Sequence, residues 1–501
     1  MMRNVWLVFC LCILSVQTWN GGQASAQTPV DKRIDVLIEK QMKKSKIPGI
    51  SVIAVKGNDV VYEKGFGYGD EGHNRPVTSS TLFEMGSTSK AFTALGVLRL
   101  ARLGTISLND PVSRYVSGFY AVYKGKREDI TISQLLHHTS GIPFLSIADI
   151  KADSRKDALE QTAKGLQGVE LSHKPGTAFE YATINYDVLG YIIEQASGQP
   201  YERYMAEHVF KQLDMSNTYA GRTAGHAGDV SAGFKIGFVK ARAYEAPEYR
   251  GNTPAGYIFT NGEDLSKWLQ FQLKHSDADI NRLIEQSHLP DKSVKADEPG
   301  VYYGAGWSVF EKKGKVKEVF HAGSNPNFSS FIIVSSDDNA AVGVLANMNS
   351  AYPEKIARSV LQVISGQNQI EDDAVTDPFQ FIDKAAASML GLFSILFIVL
   401  LCRIYIWLRR AKAKSLPVQQ RTRIKALLWG LLLAVGMLVP KLISVFASNG
   451  LPWSMIFIWG PVSLQYLAAV YYMLLFASCI FGLTACLFNQ RAARRSETHE
   501  M

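Results

Sequence analysis

Three stretches close to the C-terminal end, at about Ala387 to Leu408, Ile424 to Ala447 and Ser463 to Phe488, are apolar over their whole length. Each is long enough to cross the roughly 30 Å hydrocarbon layer of a bilayer. Lipid offers the backbone nothing to bond to, so each stretch is expected to form a helix. Lys441 interrupts the second stretch near its far end, where a long amine can reach the interface. The connection between the first two stretches carries Arg409, Arg410, Lys412, Lys414, Arg421, Arg423 and Lys425, and the tail after the third carries Arg491, Arg494 and Arg495. The positive-inside rule places both on the cytoplasmic side of the membrane. The connection from Ser448 to Val462 has no charge and holds Trp453 and Trp459, as an outer interfacial loop does. Three spans with a cytoplasmic C-terminus put residues 27 to about 386 outside the cytoplasm. Met1 to Ala26 predicts the same export: Arg3, an apolar run from Val5 to Val16 and the small-x-small pattern Ala24-Ser25-Ala26 read as a secretory signal peptide.

Charge divides along the same line. The chain's formal net charge is +8, but residues from 387 onward carry +10 and residues 27–386 carry −3. The basic balance thus belongs to the membrane segment, and nucleic acid loses its main support as a partner. All five cysteines fall in the leader (Cys10, Cys12) or in the apolar stretches (Cys402, Cys479, Cys486). The exported part therefore has no disulfide to lean on and must be held by its core, which about 340 residues can supply.

Within that part, Ile34, Leu37, Ile38 and Met42 have helical spacing, and Gly49 to Tyr68 alternates around Gly57-Asn58 as a strand hairpin would. At the other end, Phe328 to Val334 and Ala341 to Asn347 read as strands joined by Ser335-Ser336-Asp337-Asp338-Asn339. Strands at both ends with helical pattern between them predict an α+β domain over 27–365, in which one antiparallel sheet is completed by the two termini and a helical subdomain is inserted. Residues 366–386, with Glu371, Asp372, Asp373, Asp377 and Pro378, read as a polar stalk leading to a membrane domain at 387–501.

Chemistry concentrates at Ser87-Thr88-Ser89-Lys90, the only S-x-x-K in the chain. At i and i+3 of a helix entered from Gly86, the Lys90 amine can face the Ser87 hydroxyl and draw off its proton. A helix start also provides unpaired N–H groups for an oxyanion. An ordinary helix cap reads the same way in isolation. Ala91, Leu95, Leu98, Ala101 and Arg102 continue the helical pattern to a stop at Gly104. Four further segments accompany the motif in order: Leu135-Leu136-His137-His138-Thr139-Ser140-Gly141, Lys174-Pro175-Gly176-Thr177 followed by Phe179 and Tyr181, Pro254-Ala255-Gly256 leading into Thr260-Asn261-Gly262, and His321-Ala322-Gly323 before the penultimate strand.

Order and spacing together resemble the serine β-lactamase and penicillin-binding protein superfamily, in its class C-like branch of carboxypeptidases, D-aminopeptidases and esterases, over about residues 30 to 365. The resemblance implies a β-lactamase-like fold and assigns roles. Ser87 matches the acylated nucleophile, Lys90 its proton-transfer partner, and Tyr181 the tyrosine that acts with the lysine. His321-Ala322-Gly323 matches the Lys-Thr-Gly element, and the backbone N–H groups of Ser87 and Ser324 match the oxyanion hole. One position departs: the asparagine expected two residues after the tyrosine is Thr183, although Asn185 is close. A hydroxyl is a shorter donor than an amide, which puts substrate orientation in question and predicts slow release of β-lactam acyl groups. His137 and His138 fit no zinc spacing and read as structural. No His-Glu-x-x-His and no Gly-x-Ser-x-Gly is present, so a zinc protease and an α/β-hydrolase are disfavoured.

The implied activity is hydrolysis through an acyl-enzyme of D-amino-acid-containing peptides or esters of the cell envelope, such as peptidoglycan fragments, with no metal or cofactor. Two alternatives stand beside it: a β-lactamase or general esterase, and a catalytically weak sensor or scaffold for cell-wall fragments. The bilayer is the one further partner that the sequence names.

Overall fold

The computed structural model describes residues 28–222, 230–273, 278–367, 375–412, 422–448 and 450–497, so the expected leader lies outside the described residues. Gly57-Asn58 turns the chain between two strands, β1 (Gly49–Lys56) and β2 (Asp59–Asp70), with Gly57 at φ 60. The sheet they begin continues through β3 (Arg75–Pro76), then β4 (Val301–Tyr303), β5 (Ser308–Lys312), β6 (Lys315–Asn325), β7 (Phe328–Ser335) and β8 (Ala340–Ala346). Their order across the sheet is β4-β5-β6-β7-β8-β1-β2-β3, antiparallel throughout. The first strand of the domain pairs with the last, Ile50 opposite Ala346 and Val52 opposite Val344, so the two ends of the domain close one sheet as expected.

β2 keeps in part the alternation read at Gly49–Tyr68, but the central strands are buried on both faces. β1 is buried to its last residue but one, and β7 and β8 are buried throughout. Side chains still point alternately to two faces, yet both faces are covered. Five helices matter here: α1 (Pro29–Ser45), α2 (Lys90–Arg102), α3 (Ile184–Ser197), α4 (Gly262–Leu273) and α5 (Tyr352–Ile364). Ile50, Val52 and Ala54 meet Ile34 and Ile38 of α1 and Ile356 and Val360 of α5. Ile53 and Val55 join the opposite core with Leu265, Trp268 and Leu269 of α4 and Phe92 and Leu95 of α2.

α2 is buried on nearly every side, which its run of apolar and small residues permits, and it ends before Gly104 at φ 71. Phe92 stacks on Trp268 with ring centroids 4.2 Å apart, anchoring α2 to α4 and thus to the sheet. Gly96 lets α3 and Tyr204 approach closely on the other side. The residues between β3 and β4 form the helical subdomain around α2 and α3, with two small three-stranded sheets.

Among the described residues, three helices are long and apolar enough to cross a membrane: α6 (Pro378–Lys412), α7 (Thr422–Ala447) and α8 (Ser463–Glu497). They are consistent with a membrane anchor. Pro440 in α7 has no N–H for the carbonyl of Gly436, and the Tyr471 hydroxyl of α8 donates to that carbonyl at 2.6 Å instead. The bare faces of Gly436 and Gly482 lie against Leu475 and Trp429, the close small-residue packing that lipid-embedded helices use.

α6 begins at Pro378, earlier than the stalk reading allowed. Asp377 caps it, accepting from the N–H groups of Phe379 and Gln380, and also takes the Ser350 hydroxyl at 2.5 Å. Asp377 reads as part of a polar stalk, but its carboxylate holds a helix start against the domain.

Candidate active site

Gly86 to Ser89 form a 3-10 turn that leads directly into α2 at Lys90, so Ser87 stands just before the α-helix rather than within it. Three residues make one 3-10 turn, and the i and i+3 side chains still meet. Gly86 has φ +57, and a Cβ there would sit 2.5 Å from the Ser324 nitrogen. Gly323 is as constrained: a Cβ would lie 2.0 Å from the Met85 carbonyl oxygen and 2.2 Å from the Ser330 hydroxyl. These two glycines let the nucleophile turn and β6 touch backbone to backbone. Thr88 and Ser89 fasten the turn, Thr88 donating to the Met85 carbonyl at 2.8 Å and Ser89 accepting from the Ile258 N–H at 3.1 Å.

The Lys90 side chain is fully buried. Its amine donates to Ser87 Oγ at 3.0 Å, to Thr183 Oγ1 at 2.9 Å and to the Ala255 carbonyl at 2.8 Å. Burial holds the amine down to about 7, and the charge of nearby Asp187 only partly opposes it. The Tyr181 hydroxyl lies next to Ser87, and burial pushes that phenol up, so it keeps its proton near neutral pH. The Lys90 amine lies 5.2 Å from the centre of the Tyr181 ring.

β6 supplies the remaining edge. Asn325 and Phe328 are the closing pair of a two-residue hairpin whose first loop residue, Pro326, has no N–H, so Asn325 is a hydrogen-bonded pair and Ser324 is not. The Ser324 N–H therefore faces away from β7, toward the Ser87 turn. β5 stops pairing at Phe320, which leaves that edge of His321–Asn325 without a partner strand among the described residues. The Ser324 hydroxyl donates to Asn349 Oδ1 at 3.0 Å. His321 is buried and its imidazole is held down to about 3, by burial first and by the Lys90 charge second. Its Nδ1 donates to the Ala322 carbonyl at 2.7 Å and its Nε2 accepts from the Tyr303 hydroxyl at 3.0 Å, so the ring is neutral with a fixed tautomer.

The structure thus brings Ser87, Lys90, Tyr181, Thr183, His321, Gly323 and Ser324 to one place. Thr183 stands differently from its sequence reading: its hydroxyl is engaged by Lys90, not left solely for substrate. His138 is structural in its contacts, buried at φ 55, accepting at Nδ1 from Asn185 Nδ2 at 3.0 Å and packed 4.3 Å from the Tyr181 ring. Three contributors were not assigned from sequence. The Ala255 carbonyl lies in the quoted Pro254-Ala255-Gly256 segment, Asp187 is a lone acid on the buried face of α3 held by Asn252 at 2.7 Å, and Tyr303 fixes His321. A separate cavity of about 880 Å³, lined by Glu84, Arg222, Glu245, Tyr249 and Tyr257, contains none of Ser87, Lys90 and Tyr181.

Known proteins resemble this chain in sequence and fold. The beta-lactamase family model matches residues 34–364. Protein flp of Staphylococcus aureus (strain MW2) is 32% identical over 457 residues, covering 90% of this chain and 89% of its own length. Penicillin-binding protein 4* of Bacillus subtilis (strain 168) is 28% identical over 354 residues, which is 67% of this chain and 76% of that protein. Among solved structures, the octameric penicillin-binding protein homologue from Pyrococcus abyssi superposes with a TM-score of 0.60 at 29% identity, covering 72% of this chain and 81% of that one. The hydrolase EstCE1 shares the fold at 20% identity, with a TM-score of 0.58 over 67% of this chain and 98% of its own. Sequence, fold and the gathering of Ser87, Lys90 and Tyr181 agree: the chain belongs to the beta-lactamase family of penicillin-binding-protein-like serine hydrolases.

Proposed function

We propose that this protein is a membrane-anchored, extracytoplasmic serine hydrolase that acts through an acyl-enzyme on D-amino-acid-containing peptides or esters of the cell envelope. One observation carries the reading: a fully buried Lys90 amine, held down to about 7, lies 3.0 Å from the hydroxyl of Ser87. A buried amine of that kind is a base near neutral pH. Tyr181 keeps its phenolic proton, so it relays and donates while Lys90 accepts. Ser87 Oγ attacks the substrate carbonyl as its proton passes to Lys90, and the N–H groups of Ser87 and Ser324 take the charge that forms on the carbonyl oxygen. Collapse of the tetrahedral intermediate returns the proton through Lys90 and Tyr181 to the leaving amine or alcohol. The acyl group stays on Ser87 until water, deprotonated by the same pair, releases it. An extended acyl chain has the open edge of His321–Asn325 to pair with. Every step uses side chains and backbone of this chain and needs no metal or cofactor.

Placement outside the cytoplasm, with the C-terminus inside, rests on the basic residues around Arg409 and Arg494 and on the leader pattern at residues 1–26. The β-lactamase reading remains as the second outcome of one experiment. Exposed to a fluorescent phosphonate and a fluorescent penicillin in parallel, the protein is expected to be labelled by both and to hold the penicillin adduct for minutes or longer. Rapid turnover of the penicillin would make it a β-lactamase, and labelling by neither would leave the sensor reading.

The amine also sets a pH dependence. Lys90 is lowered from 10.5 to about 7, so the free base needed for attack is lost as pH falls through about 7 and is fully present above about 8. The second-order rate of phosphonate labelling should therefore rise with pH through that midpoint and then level off. A midpoint above 9 would place the base elsewhere.

A further inference from the structure

Residues Phe234–Gly237 and Lys240–Ala243 form a hairpin that leaves the catalytic domain and ends on the three long helices. Its two turn residues are Phe238 and Val239, at φ 56 and φ 62, where such turns ordinarily carry Asn-Gly and where a β-branched residue is strained. The strain is met from the membrane side. Asp383 of α6, fully buried, accepts from both turn N–H groups at 2.9 and 2.7 Å, and the Phe238 ring packs 5.6 Å from Tyr466 of α8. Lys235 donates to the carbonyls of Phe457 and Ile458 at 2.8 and 2.9 Å, closing the C-terminal end of the short helix Trp453–Trp459. The N–H of Val462 donates to the Ile236 carbonyl at 3.0 Å.

The same outer connection reaches both lips of the cleft. On one side, Phe144 donates its N–H to Glu180, the neighbour of Tyr181, at 2.9 Å, and Leu145 lies 3.8 Å from where a Cβ on Gly450 would stand. On the other, Asn349, which takes the Ser324 hydroxyl, lines a small cavity with Pro326, Trp459 and Pro461. The connection from Gly450 to Pro461 thus runs from the Tyr181 side of the cleft to the Ser324 side. Phe144 and Leu145, 41% and 38% exposed, present apolar surface at that end.

We propose that the membrane unit forms one end of the substrate cleft and that Ser87 is served from the bilayer: the acyl donor is an amphiphile whose apolar anchor stays in the outer leaflet while its ester or amide enters between Leu145 and Ser324. The proposal rests on the hydrolase reading above. It does not require new catalytic groups, only that the domain be held at a fixed height and orientation. Asp383 and Lys235 provide this without touching the reacting atoms.

The test uses the full chain in nanodiscs of phosphatidylethanolamine and phosphatidylglycerol, with one fluorophosphonate presented in two ways, free in solution and linked to a phosphatidylethanolamine headgroup. The undocked variant carries Asp383→Asn and Lys235→Met, and a second variant carries a 12-residue Gly/Ser insertion between Gly366 and Pro378. In both, labelling by the soluble probe is expected to stay within about twofold of wild type, while labelling by the lipid-linked probe falls at least about tenfold as the effective concentration at the bilayer is lost. An unchanged ratio of the two rates, or an equal fall in both, would overturn the proposal. If neither probe labels Ser87 in the wild type, the hydrolase reading itself fails and the inference goes with it.

Discussion

Lys90→Met is expected to slow acylation of Ser87 by roughly 10³-fold, within the range that removing a positioned general base produces. Methionine keeps the length and volume of the buried side chain, so the packing against Tyr181 and Tyr186 survives. What disappears is the one amine that can accept the Ser87 proton near neutral pH, together with its bonds to Thr183 and Ala255. Leaving those two acceptors unpaired costs on the order of 1–3 kcal/mol each. Asp187 loses the neighbouring amine that holds its carboxyl down, so burial, which already pushes it well above the ordinary range, raises it further. The variant should therefore fold with a lowered melting temperature, and the comparison to make is stopped-flow phosphonate labelling above pH 8 on both proteins. A loss smaller than tenfold in a folded variant would remove Lys90 from proton transfer.

The core of this site could be read from sequence because it is local. Ser87 and Lys90 are three residues apart, Gly86 precedes them, and one turn of backbone decides whether they meet. The helix that follows Ser87 and starts at Lys90 was legible from Ala91 to Gly104 for the same reason, and the closure of the sheet followed from strand patterns at both ends of one domain. Individual bonds between distant segments were not legible. The bond from Lys90 to the Ala255 carbonyl spans 165 residues and uses a backbone atom that no side-chain pattern reports. Tyr303 holds His321 through a β-meander whose register only the folded sheet defines.

Burial misled in two places. β1 was read as alternating because a period of two is all that a strand imposes on sequence. Layers of helices on both sides of the sheet bury both faces of that strand. Asp377 and Asp383 looked like stalk residues, since an acid near Pro378 usually means solvent. One caps α6 and the other seats the strained turn at Phe238-Val239, so the charged residues mark contact and not separation. Thr183 lies between these cases. Its identity departed visibly from the family's asparagine, but only the fold shows that its hydroxyl serves Lys90.

The most direct measurement locates the covalent adduct. Full-length protein in nanodiscs, treated with a fluorescent phosphonate and digested, is expected to yield one modified peptide, carrying the probe on Ser87. Ser87→Ala removes the hydroxyl that lies 3.0 Å from the Lys90 amine, and the small side chain leaves the fastening bonds of Thr88 and Ser89 in place. The variant should keep its melting temperature within a few degrees and show no adduct. Undiminished labelling of the folded Ser87→Ala protein, or an adduct on another residue such as Ser324 in the wild type, would contradict the assignment.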